Sequence, residues 1–224
     1  MSGGRDWRRP LSLVLAAAVG AAAAIAVDRF VLDDGDAATA DAGDVALTPD
    51  DLGGVWSLDT TVDLGGPDDV GLLSGCALTG GLAGDDPGSF TSLSDGSGDA
   101  ITNEIRVTPS AAHAAEVFDA ASSIEAVECV RSSVESQAVS QLAPGIPAAV
   151  IEPLQTTPWA EQAMAYRVQV NVAGLPVQHT DVHIVRSGPA IAVVQIFDQG
   201  EAMSDDVAVE AVNAVLDGMV STFG

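Results

Sequence analysis

The alternation of apolar and polar residues is cleanest between Ala163 and Asp198, where it predicts three consecutive strands. Met164, Tyr166, Val168, Val170 and Val172 take every second position, with Arg167, Gln169 and Asn171 between them. Side chains alternate across a strand, so this pattern marks one sheet face in the core and a wetter face behind it. Ala173-Gly174-Leu175-Pro176 and Ser187-Gly188-Pro189 supply turn chemistry on either side of a second strand, Val177 to Arg186. In that strand Val182 and Ile184 share one face, and His179, Asp181 and His183 the other. The third strand, Ala190 to Phe197, is apolar at nearly every position except Gln195, the pattern of a strand covered on both faces or lying centrally in the sheet. The three are expected to form an antiparallel meander around which the other elements pack.

Upstream, Leu47-Thr48-Pro49-Asp50-Asp51-Leu52 reads as a short helical turn. Thr48 caps it, Pro49 fits its first position, and two aspartates face the positive end of its dipole. Trp56 to Leu64 is a candidate strand anchored by Trp56, Leu58 and Leu64. The Gly-, Asp- and Ser-rich stretch from Gly65 to Gly98 is loop, with short strands expected at Gly75 to Thr79 and Phe90 to Leu93. Ala100 to Val107 alternates, Ile101, Ile105 and Val107 against Thr102, Glu104 and Arg106. Thr108-Pro109 starts a helix expected to run to Ala121 and to bury Val117, Phe118 and Ala121. A second helix, Ile124 to Ala138, carries its apolar stripe at Ile124, Val127, Val130, Val134 and Ala138. Ala148 to Leu154 is a further strand. The chain closes with a helix from Asp205 to Thr222, capped by Ser204, with Ala208, Val212, Val215, Leu216 and Met219 facing inward. The fold class expected is α+β, an antiparallel sheet built on the C-terminal meander and packed against helices.

The first residues change the picture of where this domain lives. Arg5, Arg8 and Arg9 precede Leu11 to Val27, which contains no charged residue. A basic start followed by an apolar run is an export signal, with the arginines left on the cytoplasmic side. Its length lies between a signal-peptide core and a short membrane span. Ala24-Ile25-Ala26 resembles a cleavage site but falls inside the apolar run, so a cleaved signal and an uncleaved anchor both stand at this point. Residues 1–32 are therefore a signal peptide or N-terminal membrane anchor, 33–46 an acidic flexible linker, and 47–224 an extracytoplasmic domain. The membrane is expected to be touched only through the N-terminal segment.

Charge narrows the partners. The chain carries 32 acidic and 8 basic residues, a net charge of −24, and no lysine. Only Asp6 and Asp28 of the acidic residues precede Asp33, and half of the arginines do. Such a surface is repelled by phosphate backbones, which argues against nucleic acid.

Candidate chemistry is sparse. Cys76 and Cys129 are the only cysteines, and in an exported domain two cysteines are expected to pair. By the chain-entropy argument such a link would stabilise the fold by roughly 4 kcal/mol. On a helical wheel Cys129 falls nearly opposite Val127, Val130 and Val134, so the Cys76 loop is expected to clasp the outer face of that helix. His179, Asp181 and His183 share a strand face, but neighbours on one face sit about 7 Å apart, and structural zinc wants four ligands. A solvated polar face is the expectation there, with no metal and no cofactor. Asp95-Gly96-Ser97-Gly98-Asp99 lacks the glycine and the glutamate that a calcium loop needs. No Gly-x-Ser-x-Gly elbow and no phosphate cradle occur, so no catalytic residues are assigned. The candidate binding face is Arg167, His179, Asp181 and His183.

With these residues placed, the domain resembles the extracellular sensor domain of mycobacterial PknH-type receptor kinases and related exported actinobacterial proteins. The resemblance rests on Leu47-Thr48-Pro49-Asp50-Asp51-Leu52, on the helical stretch Ala111 to Cys129, and on the closing hairpin Asp181 to Val194 with its final helix. It spans residues 47–224 and implies an α+β fold with a cleft that receives an envelope ligand. The family has two disulfides where this chain has cysteines for one. The expectation is a ligand-binding, sensor-like module of the cell envelope without catalytic activity; the alternative is an envelope protein that binds another protein.

Overall fold

The computed structural model describes residues 42–53, 56–64, 86–141, 148–198 and 205–223. Seven strands form one antiparallel sheet in the order β1-β2-β3-β7-β6-β5-β4. They are β1 (Ser57–Leu64), β2 (Gly88–Ser94), β3 (Ala100–Val107), β4 (Ala148–Pro153), β5 (Gln162–Val172), β6 (Leu175–Ser187) and β7 (Ala190–Asp198). Among the described residues they are accompanied by the helices α1 (Ala111–Ala121), α2 (Ile124–Gln141) and α3 (Asp205–Phe223), with a 3-10 turn at Pro49–Leu52. The α+β class and the β5-β6-β7 meander hold, but the sheet extends well beyond three strands. The apolar third strand is its centre: β7 pairs with β3 on one side and β6 on the other.

The strand periodicity divides the core into two layers. On one face Leu93, Ile101, Ile105, Val185, Ala192, Val194 and Ile196 pack beneath α3 through Ala208, Ala211, Val212, Val215 and Met219. On the other, Tyr166, Val168, Val170, Val182, Ile184, Ile191 and Val193 pack against Ala114, Val117 and Phe118 of α1 and Val130 and Val134 of α2. The helices thus cover opposite faces, and a sheet covered on both sides buries even the polar positions of its inner strands. Thr102, Glu104 and Arg106, the polar positions of β3, are all buried.

Several local expectations shift. Thr48 does form a capping arrangement, its N–H and hydroxyl both donating to Asp51 Oδ2 at 2.7 Å. At α1 the cap is Ser110, whose hydroxyl accepts from the His113 N–H at 3.2 Å. Thr108 instead donates its hydroxyl towards the Pro189 and Ser110 carbonyls, tying the helix start to the β6–β7 turn. On α2, Ile124 is 84 % exposed and Ala126 is buried in its place. The first residue of a helix lies before its packed turns, so its place on a wheel does not decide its burial. Leu58, expected as an anchor, is exposed beside a register shift at Leu58/Thr60. The acidic linker also ends earlier than its composition suggests, because Ala42 and Val45 are buried in the α3-side core. The expected strand at Gly75 to Thr79, the segment 1–41 and Cys76 lie outside the described residues. Among the described residues no helix is long and apolar enough to cross a membrane.

Candidate functional site

The four residues singled out on the meander do come together, and pairing register shows how. Arg167 of β5 lies opposite Asp181 of β6, and Ala165 lies opposite His183. His179 lies between Gln169 on β5 and Asp198 on β7. Cross-strand partners and next-but-one neighbours share a face, so these side chains form one polar patch on the α3 side of the sheet. The patch runs on to the edge strand, where Glu152 pairs with Arg167 and Val150 with Gln169.

Arg167 holds the patch together. Its Nε and Nη2 donate to the two carboxylate oxygens of Asp181 at 2.6 and 2.7 Å, a bidentate fork. The patch is not the solvated surface that alternation implied, since His179 is 8 % exposed and Asp181 7 %. Period-2 alternation says which side chains share a face; it does not say whether that face is covered. Burial lowers the pKa of His183, with Asp181 pulling it up and Arg167 down, so its imidazole is held neutral.

Asp198 was missed, because it stands at the end of an apolar run. It is 4 % exposed, and its Oδ2 has no hydrogen-bond partner. Its carboxyl is pushed up to about 6 by burial first, then by Asp99, Asp181 and Asp95, against the lowering effect of Arg167. Other polar atoms on this face share its condition: Ser89 Oγ, Thr91 Oγ1, Asn103 Nδ2 and His183 Nε2 are buried with no hydrogen-bond partner. Asn103 uses its Oδ1 to accept the Leu47 N–H at 3.2 Å.

The opposite face carries a second ionic group. Arg106, fully buried, donates from Nε to Glu104 at 3.1 Å and from Nη1 to the Asp86 carbonyl at 2.9 Å. Gly88 leaves room for it: a Cβ there would stand 2.9 Å from Arg106 Cδ and 2.1 Å from the Ile105 carbonyl oxygen. His113 of α1 reaches Asp86 at 3.7 Å. This group fastens the start of β2 and α1 to β3.

Cys129 lies half-buried against the α1/α2 core, not on the outer face of α2. No described cysteine is a free thiol. Among the described residues no three His, Cys, Asp or Glu side chains converge in a way that could hold a metal ion.

No family model matches the chain, and no curated protein does. Among solved structures it is similar to the extracellular domain of PknH from Mycobacterium tuberculosis. The TM-score is 0.49 and the identity 10 %, over 81 % of this chain and 96 % of that one. A similarity of that size transfers neither residues nor function.

Proposed function

We propose that this chain is an extracytoplasmic, sensor-like module of the PknH-like kind that binds a polar ligand on the α3-side face of its sheet and performs no chemistry on it. The observation that carries this reading is a pair of buried hydrogen-bonding atoms without partners beside the Arg167–Asp181 fork, His183 Nε2 and Asp198 Oδ2. Buried polar groups are normally satisfied, because leaving one unpaired costs about 1–3 kcal/mol. A ligand that supplies those hydrogen bonds binds the folded chain and not the unfolded one. The export signal puts the domain outside the cytoplasm, tethered to or released from the membrane, and Cys129 pairs there with Cys76. Two free thiols in the mass of the unreduced protein would remove that link.

The test is to purify the full chain from its native membrane and analyse what it retains. A small polar molecule held by the wild type and lost from His179→Ala is expected. Empty wild-type protein under gentle extraction would refute the reading. The alternative, binding to another protein, is favoured by one feature: the patch runs out to β4, which ends the sheet with Val150 and Glu152 exposed. A retained protein that is lost on Val150→Asp, with no small molecule present, would favour it.

A further inference from the structure

The aspartates at one end of the sheet form a device that the binding face does not require. Ala100, the first residue of β3, pairs with Phe197, so Asp99 just before it stands alongside Asp198 at the end of β7. Asp198 itself pairs with His179, one same-face step from Asp181. The β2–β3 turn closes on Asp95, whose N–H donates to the Asp99 carbonyl at 3.3 Å. Its Oδ1 accepts from the Ser97 and Asp99 N–H groups at 2.8 and 3.3 Å. Gly96 and Gly98, with φ of 76° and 119°, let the chain turn there. Three carboxylates therefore surround a fourth that is buried with one oxygen unpartnered.

The cations nearby offset this only in part. Arg167 gives two of its donors to Asp181, and His183 is held neutral by burial. His179, opposite Asp198, is the remaining titratable neighbour from β6. The helix α3 faces the sheet with apolar residues, and its Asp206, Glu210 and Asp217 are exposed.

We propose that Asp198, with Asp95, Asp99 and Asp181, is a proton-operated latch that holds the β2–β3 turn against the end of the sheet in mildly acidic solution and loosens it at neutral pH. When Asp198 takes up a proton, its carboxyl becomes a donor that bonds a neighbouring carboxylate, and one of the mutually repelling charges is gone. When it is ionised, its charge adds to those of Asp95 and Asp99 at the end of the sheet, with Asp181 already paired to Arg167, and the turn is the part free to move away. Protonation near pH 6 follows from the same burial and the same neighbours. The latch stands whether or not the face binds a ligand.

Amide hydrogen exchange of the full chain at pH 5 and pH 7, corrected for intrinsic exchange rates, reads the turn directly. Protection of residues 95–99 is expected to fall about tenfold from pH 5 to pH 7, since one pKa unit of differential stabilisation is a factor of ten. In Asp198→Asn, which keeps the shape and removes the charge, protection is expected to stay high at both values. Equal protection in the wild type at both pH values would overturn the latch, as would a variant that kept the wild-type loss. A carbon-13 titration of the Asp198 carboxyl with a midpoint near the ordinary value of 3.8 would overturn it independently.

Discussion

At the scale of single residues, the Arg167–Asp181 fork is the feature whose removal has the clearest cost. Both side chains are largely buried, so deleting one strands the charge of the other. Arg167→Met is expected to cost about 3 kcal/mol by urea denaturation, and Arg167→Met with Asp181→Leu to recover most of it. A loss below about 1 kcal/mol for the single variant would mean that the fork is solvated in solution. Asp198 works in the opposite sense. Its folded pKa, about 6, lies above the ordinary 3.8, so its stabilising contribution is complete below 3.8 and is lost as pH rises through 6. Asp198→Asn is therefore expected to stabilise the protein at pH 7, by about 3 kcal/mol at most, and to change little at pH 4. His183 acts against it, because its lowered pKa makes stability fall as pH drops below the ordinary 6.5. The sequence placed Arg167, His179, Asp181 and His183 on one face correctly, since alternation is a local property of a strand. Asp198 was illegible because its partners come from β6 and from the β2–β3 turn, which only tertiary pairing brings beside it.

Elements show the same division between local and non-local signals. The inward face of helix α3 was readable, with Ala208, Val212, Val215, Leu216 and Met219 all buried, because its apolar stripe is periodic; its expected cap, Ser204, lies outside the described residues. The start of the packed domain was not. Composition makes residues 33–46 look like linker, yet Val45 packs on α3, where a Cβ at Gly218 would stand 3.1 Å from Val45 Cγ1. Glycine at 218 thus makes the close approach possible, a pairing that no local pattern encodes. A chain beginning at Leu47 is expected to lose about 2 kcal/mol relative to one beginning at Ala42, the worth of burying one valine and one alanine. Equal stability by thermal denaturation would show that the 42–46 contact contributes nothing. The α1 cap was misplaced by two residues for a related reason. Thr108-Pro109 has the composition of a cap, but the Thr108 hydroxyl is drawn to the Pro189 carbonyl across the sheet, which leaves capping to Ser110.

For the molecule as a whole, the net charge of −24 sets the conditions under which these local effects can be seen. Like charges spread over a surface repel one another and oppose compaction, and salt screens exposed charges far more than buried ones. Raising sodium chloride from about 0.01 M to about 1 M shortens the Debye length from roughly 30 Å to roughly 3 Å. The midpoint of thermal unfolding is expected to rise by about 5 °C over that range at pH 7, corresponding to roughly 1–2 kcal/mol for a domain of this size. At about 1 M salt the acidic surface is quiet, so what remains of the pH dependence between 5 and 7 belongs to the buried groups. Two of these, Asp198 and His183, pull in opposite directions. Asp198→Asn at high salt is then expected to leave a protein that is more stable at pH 7 than at pH 5, because only the His183 contribution survives. If the variant instead kept the wild-type slope in high salt, the pH response would originate at the surface and the buried carboxylate would have no part in it.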